Sequence, residues 1–570
     1  MTRALTLAVA MLAAAIAPAV AQGQSQRFVS IALHDVVDRR EDLSTDAVTT
    51  DRIVALFDWM KGDGWTAISI DDVDAARLGR RPLPQKAILL SVDDGYRSLY
   101  TRIYPLLKIY RYPIVAALVG SWMAGASGEG ALGDDMEPIA TVRYGDRNVP
   151  RSTFISWAEA REMQASGLVE FASHSYDLHN GLLANPQGNR IPSARTWRYD
   201  AASGRYEDEA QYRARIRADL DRARRQMAAE LGRPPRTMVW PFGRYTGPAL
   251  DEARKAGFTH ALTLDPEPAD TSQPFAIHRY FPNRNPPLGE IADNLRFDVE
   301  YPESVRIACL KVDSLAAVQG AAQDEALGRV IEQIRALGPN KVVIDGFAEP
   351  PAGAAPTEAY FPNHLWPVKA DILSRASWQI RSRAGADVFV RLPANAPPEL
   401  WADMLRRVPA DGIAVEAGAL PAAMTDASKT SIRRRRAALD PATLDPQSAR
   451  ALQAFRAAAS IAPGLRLLLS VPVLAGPVDW ADYTMGPPAG DAAALEADAR
   501  ALRAKGMLRP DIAGHSVLTL PSAPGQQRRA ILAAQRQTAS AFALCPGNTP
   551  LPADPALISA FSSASFPRKP

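Results

Sequence analysis

Cysteine is almost missing from this chain: among 570 residues only Cys309 and Cys545 occur. Neither has the partner pattern of a catalytic thiol. In an oxidising compartment they can pair, and each reads equally well as a small buried apolar side chain. An excess of one charge sign is missing too. The formal net charge is +3, which gives no case for nucleic acid, and no RNA- or DNA-binding motif stands out. Beyond the N-terminus no apolar run is long enough to cross a membrane. There is no internal repeat. What is present is a globular composition, 47% hydrophobic and 22% charged, in a chain long enough for two ordinary domains. The 47 prolines predict many loops and few long helices.

Residues 1–21 read as a secretory signal. Arg3 supplies the positive start, Ala4 to Ile16 an apolar run short for a bilayer, and Ala19-Val20-Ala21 a small-x-small cleavage site before Gln22. A retained N-terminal anchor is the alternative. No cysteine lies near the cut, which argues against a lipoprotein anchor. The expected location is periplasmic or secreted.

The first half alternates apolar runs with helical spacing. Phe28 to Leu33, Trp65 to Ile70, Lys86 to Val92, Ile114 to Val119, Leu168 to Ala172 and Thr237 to Trp240 read as strands, and Ile53 to Lys61 as a helix. Strands alternating with helices predict a parallel sheet or barrel, with functional groups at strand C-terminal ends. Residues 183–212 read as an inserted loop, and Gln211 to Glu230 as an amphipathic helix with a solvated charged face. Residues 284–304 hold the expected linker. A second alternating segment runs from Val305 to about Leu557, with strands predicted at Val305–Val312, Lys341–Ile344, Asp387–Arg391, Gly412–Val415 and Leu465–Val473. Ser562 to Pro570 reads as a frayed tail.

His34, Asp93-Asp94, His174 and Pro241 each stand just past a predicted strand, so they converge on one mouth. Asp94, His174 and His179 would supply three ligands to one divalent metal and leave an open position for water, whose pKa the metal lowers towards ~7. Asp93, beside a ligand, is the candidate base, and His34 the candidate general acid. Backbone N–H groups around Trp240-Pro241-Phe242-Gly243 are candidates for holding substrate or an oxyanion. Each piece has a plainer reading. Asp-Asp-Gly after a strand is often a turn, paired histidines are often surface residues, and His34-Asp35 reads as a buried hydrogen-bonded pair. The joint placement favours the catalytic reading, because the chain has only 7 histidines.

These motifs carry a resemblance. Ser91-Val92-Asp93-Asp94-Gly95 resembles the first motif of the polysaccharide deacetylases, carbohydrate esterase family 4 with its NodB-type domain. His174-Ser175-Tyr176-Asp177-Leu178-His179 resembles their second motif, and Trp240-Pro241-Phe242-Gly243 the third. Leu33-His34-Asp35-Val36, Asn185-Pro186-Gln187-Gly188 and Tyr206-Glu207 narrow it: together they resemble the poly-β-1,6-N-acetyl-D-glucosamine N-deacetylases of bacterial biofilm systems. The resemblance implies Asp93 as base, His34 as acid, and Asp94, His174 and His179 as ligands. It implies an N-terminal deformed (β/α) barrel over residues 27–295. Ser91-Val92 departs from the usual Thr-Phe. His278-Arg279-Tyr280 either borders the groove, packs, or pairs a carboxylate.

Residues 305–557 resemble the C-terminal (β/α)8-like barrel of the same enzymes, either complete or reduced. Ala359 to Asp371 and Asp345-Gly346-Phe347-Ala348-Glu349 carry the likeness. The family's acidic pair after the Gly-Ile strand is absent, since Asp411 to Val415 is followed by Glu416-Ala417-Gly418. The domain is therefore expected to bind glycan without cleaving it. Arg433 to Arg436 reads as a solvated loop. The implied function is N-deacetylation of an exported N-acetylglucosamine polymer, with an outer-membrane export protein as a further partner. A chitin-like or peptidoglycan substrate, or a non-catalytic glycan-binding scaffold, are the alternatives. His2Asp ligation suits Zn, Ni, Co or Fe(II).

Overall fold

The computed structural model describes residues 25–562, apart from 45, 124–140, 146, 265–267, 297–303, 421–431, 509–513 and 548–549. The signal expected at 1–21 lies outside the described residues, as does the tail expected from Ser562 apart from Ser562 itself, which ends helix Pro555–Ser562.

The apolar runs of the first half form a nine-stranded sheet. Arg27–Leu33, Ala87–Val92, Ile114–Leu118, Val169–Ser173, Thr237–Val239, His260–Thr263 and Ile277–His278 lie side by side in parallel. The ring closes just past the last strand. Tyr280 N–H donates to the Ser30 carbonyl and Ala32 N–H donates to the Tyr280 carbonyl, both at 2.8 Å. The runs are continuous rather than alternating because both faces are buried. Along Ala87–Val92, Ile88, Leu90 and Val92 pack in one cluster with Leu56, Phe57 and Met60 of helix Thr50–Gly62. Leu89 belongs to a second cluster with Val115, Ala172, Val239 and Leu262.

The second half is a closed barrel of parallel strands: Val305–Leu310, Lys341–Asp345, Asp387–Arg391, Gly412–Glu416, Arg466–Ser470, Tyr483–Pro488, His515–Thr519 and Ala541–Leu544. The strand ring is complete, not reduced, and Pro393 to Ala410 contains helix Pro398–Arg407. The described residues between Arg466–Ser470 and Tyr483–Pro488 hold no helix. Cys309 and Cys545 are joined by a disulfide, with Cα atoms 4.6 Å apart. It ties the first strand of the barrel to the end of the last, where the two pair.

Three other expectations are corrected. The linker region contains helix Leu288–Arg296, whose Ile291 and Leu295 are buried in the core of the first barrel. Helices are longer than the proline count suggests, reaching 23 residues in Glu209–Leu231, because the prolines gather in loops and first turns. Arg433 to Arg436 lie in helix Ile432–Ala438, not in a solvated loop. Arg436 is buried, pairs with Asp482 at 2.7 Å and donates to the Trp480 carbonyl at 2.6 Å. Arg434 reaches across to Asp270 of the first domain.

The insertion after His179 folds into the hairpins Gly181–Leu183/Arg190–Pro192 and Tyr199–Asp200/Arg205–Tyr206. It docks on the second barrel. Arg195 donates to the Leu405 and Val408 carbonyls at 2.6 and 2.9 Å, and Arg375 donates to the Gln187 carbonyl at 2.9 Å. The Tyr206 hydroxyl donates to Asp371, and Arg406 pairs with Glu209 at 3.0 Å.

Candidate active site

The strand ladder runs into the mouth of the first barrel. Asp93 N–H donates to the Leu33 carbonyl and His174 N–H to the Leu118 carbonyl, both at 2.8 Å. The chain then turns sharply. Asp94, Ser175 and Phe242 have φ of 75°, 69° and 58°, a left-handed conformation that is costly for residues with a Cβ. Strain of that kind gathers where side-chain aim matters.

Asp94 Oδ1 lies 3.3 Å from His174 Nε2 and 3.2 Å from His179 Nε2. Asp94 and His174 are buried and His179 nearly so. His174 Nδ1–H donates to the Val239 carbonyl at 2.8 Å, which leaves Nε2 as a lone pair directed at the carboxylate. Asp94 Oδ1 itself is buried and accepts no hydrogen bond. Electron pairs thus converge from three sides on one small volume, a donor set that fits a divalent cation. The electrostatics agree. Burial alone would raise the Asp94 carboxyl, but the His179 and His174 imidazoles outweigh it and hold it well below the usual range. Burial alone would lower His174, but the Asp94 and Asp93 carboxylates outweigh it and raise its pKa. The pocket favours positive charge.

Asp93 and His34 flank this trio. His34 Nε2 is 3.9 Å from Asp93 Oδ2, and the ring rests against Phe281 at 4.8 Å. The residue that sequence reasoning underweighted is Arg279. It is fully buried and clasps Asp93 with both arms, Nη1 to Oδ1 at 2.7 Å and Nη2 to Oδ2 at 2.9 Å. Ser91 Oγ accepts from Nη1 at 2.8 Å, and the Thr263 carbonyl accepts from Nε at 3.2 Å. Burial pushes Asp93 up, but Arg279, with His174 and His34, more than reverses it and keeps the carboxyl below its ordinary value. The only sequence signal was an arginine just past a short strand.

The Trp240–Gly243 expectation divides. Trp240 is 0% exposed and stacks on Tyr245 at 5.6 Å, and Pro241 is buried as well. The indole is packed in the core and presents no surface to a substrate. Gly243 N–H is committed to the Trp240 carbonyl at 2.9 Å, so it is not a free oxyanion donor. Phe242 alone faces out, 45% exposed, with its ring 4.2 Å from that of His179. Trp122 lies on His179 as well, at 4.7 Å. At the second barrel, Asp345 is clasped by Arg391 at 2.6 and 2.9 Å, and Glu416 is exposed.

Residues 80–261 match the polysaccharide deacetylase family, and residues 311–396 match hypothetical glycosyl hydrolase family 13. The chain is 34% identical over 366 residues to the poly-β-1,6-N-acetyl-D-glucosamine N-deacetylase of Escherichia coli K12, covering 64% of this chain and 53% of that protein. It thus spans about half the length of that curated relative. The deacetylase domain of BpsB from Bordetella bronchiseptica is 37% identical, with a TM-score of 0.38, covering 44% of this chain and 94% of that one. The de-N-acetylase of Aggregatibacter actinomycetemcomitans is 32% identical, with a TM-score of 0.42, covering 47% and 100%. The matched span contains the strand ends that carry Asp93, Asp94, His174 and His179, and the chain thus carries a polysaccharide deacetylase domain followed by a glycosyl-hydrolase-like domain on its C-terminal side.

Proposed function

We propose that this chain is a metal-dependent N-deacetylase of poly-β-1,6-N-acetyl-D-glucosamine. The observation that carries the reading is the convergence of Asp94, His174 and His179 on one buried point, beside an acid–base pair. These three residues would hold the ion. When bound, a divalent cation supplies Lewis acidity towards water and towards the acetamide carbonyl. Asp93, kept ionised and aimed by Arg279, accepts the proton of the attacking water. His34 gives a proton to the departing amine nitrogen. Acetate and a free glucosamine amine leave. Phe242, exposed beside His179, offers a flat apolar surface to a sugar ring.

The substrate is inferred from the E. coli relative, whose name specifies that polymer. The domain division supports the same reading. Residues 27–295 perform the chemistry, and residues 305–557 bind glycan without hydrolysing it. In this reading the chain works outside the cytoplasm on polymer bound for a biofilm matrix, next to an outer-membrane export protein. The test is acetate release from poly-β-1,6-N-acetyl-D-glucosamine with and without chelator. Activity should vanish with chelator and return with added metal. Asp94→Ala and His174→Ala should each lose metal binding and acetate release together. Full acetate release from either variant would refute the assignment.

A further inference from the structure

The sequence pattern predicts a solvated charged face for Gln211 to Glu230, which lie in helix Glu209–Leu231. The structure turns one stripe of that face onto the loop between the two histidines. Asp219 Oδ1 accepts the Tyr176 N–H at 2.8 Å, and Oδ2 accepts the Asp177 N–H at 2.7 Å. Three residues on, the Arg222 guanidinium lies over the Tyr176 ring, 3.7 Å from its centroid. Four further on, Gln226 Nε2 donates to the Gly120 carbonyl at 3.0 Å. Gly120 N–H in turn donates to the Ser175 carbonyl at 3.0 Å, and Ser121 N–H to the Tyr176 carbonyl at 2.7 Å. The spacing of 219, 222 and 226 places all three on one helical face. Between His174 and His179 the backbone is thus gripped on both sides, with the carboxylate on its N–H groups and the 120–121 turn on its carbonyls.

We infer that Asp219 is a positioning residue for the metal site, fixing the backbone between His174 and His179 so that both Nε2 atoms face Asp94. The inference rests on the reading of that trio as a metal site. The physical need is plain. Ser175 is held at φ 69°, a conformation that persists only when its surroundings impose it. Hydrogen bonds from two consecutive N–H groups to one carboxylate are charge-assisted and about twice as strong as neutral ones. Gly120 and Ser121 restrain only the carbonyl side. Without Asp219 the peptide planes at 176 and 177 are held from the carbonyl side alone, and the common aim of the two imidazoles loosens.

The experiment uses the full chain as wild type, Asp219→Ala and Asp219→Asn. Cobalt(II) is titrated into metal-free protein and followed by its visible d–d absorption, and the thermal midpoint of each metal-free protein is measured by circular dichroism. Asp219→Ala should bind cobalt about 10–100-fold more weakly, as removal of outer-shell partners does elsewhere, with an altered d–d band. Asp219→Asn keeps one acceptor oxygen and should fall between Ala and wild type. The metal-free midpoints should stay close to that of wild type. Unchanged cobalt affinity in both variants overturns the inference. So does a loss of affinity that follows a collapse of the midpoint in both variants, since that marks a merely structural residue. Failure of the wild type to bind cobalt overturns it as well. Acetate release is measured separately. A wild type that binds cobalt but releases no acetate retires the deacetylase reading and leaves the positioning role standing.

Discussion

At the scale of single residues, the decisive pair is Asp93 and Arg279. A carboxylate buried to this degree is tolerable only if it is paired and fully hydrogen-bonded. Arg279 supplies both conditions with its two-armed clasp and is itself anchored by Ser91 and Thr263. Arg279→Met should therefore cost about 3–5 kcal/mol of stability, the range seen when one partner of a buried pair is removed. Acetate release should fall with it, because the base loses its aim. Combining Arg279→Met with Asp93→Asn removes the unpaired charge and should recover part of that stability. Urea unfolding of the two single variants and the double variant measures the coupling. Additive losses would show that the pair does not act as one unit.

At the scale of elements, strand ends decide what each barrel can do. In the first barrel the turns after Ala87–Val92 and Val169–Ser173 deliver the candidate ligands Asp94, His174 and His179. In the second, the corresponding positions are blunted. Asp345 ends its strand locked to Arg391, and Gly412–Glu416 ends in one exposed carboxylate. Glycoside cleavage needs a positioned acid and a second assisting group, and with Asp345 locked to Arg391 this pair of strand ends leaves only the single carboxylate of Glu416. Partially deacetylated poly-β-1,6-N-acetyl-D-glucosamine incubated with the protein should keep its chain length by size-exclusion chromatography. New reducing ends would overturn that expectation. Strands of continuous Val, Ile, Leu and Ala were readable from the amino-acid order, since burial on both faces leaves no other pattern. Tyr483–Pro488, with its glycine and two prolines, and the four-residue Ala541–Leu544 were not. Closure of the barrel places those segments as strands where local propensity does not.

At the scale of the whole molecule, the two barrels are joined by close contact and not only by the connecting chain. Helix Gly247–Lys255 of the first domain packs on helix Pro446–Ile461 of the second. Gly247 sits at the tightest point, where an added Cβ would collide with the Ser460 carbonyl oxygen. Gly247→Ala should cost about 1–3 kcal/mol by overpacking and loosen this seam. Limited proteolysis should then cut between the domains faster than in wild type, while metal binding at Asp94 persists. An unchanged digestion pattern would show that the seam is not held there. The insertion 180–208 spans the same junction and also leaves directly from His179, so the docking surface and the candidate site share one segment of chain.

The amino-acid order alone determined where strands end and which acids and imidazoles stand at those ends, because hydrophobic runs and their punctuation are local signals. Only the tertiary structure decided who meets whom. Arg279 stands 186 residues from the carboxylate it clasps, and Asp219 grips a loop more than 40 residues before it. The burial of Trp240, the anchoring of Arg436 and the docking of one stripe of a charged helix on the loop between His174 and His179 follow the same rule. A charge or a large ring shows its chemistry in the sequence, but its partner is set by packing between segments far apart in the chain.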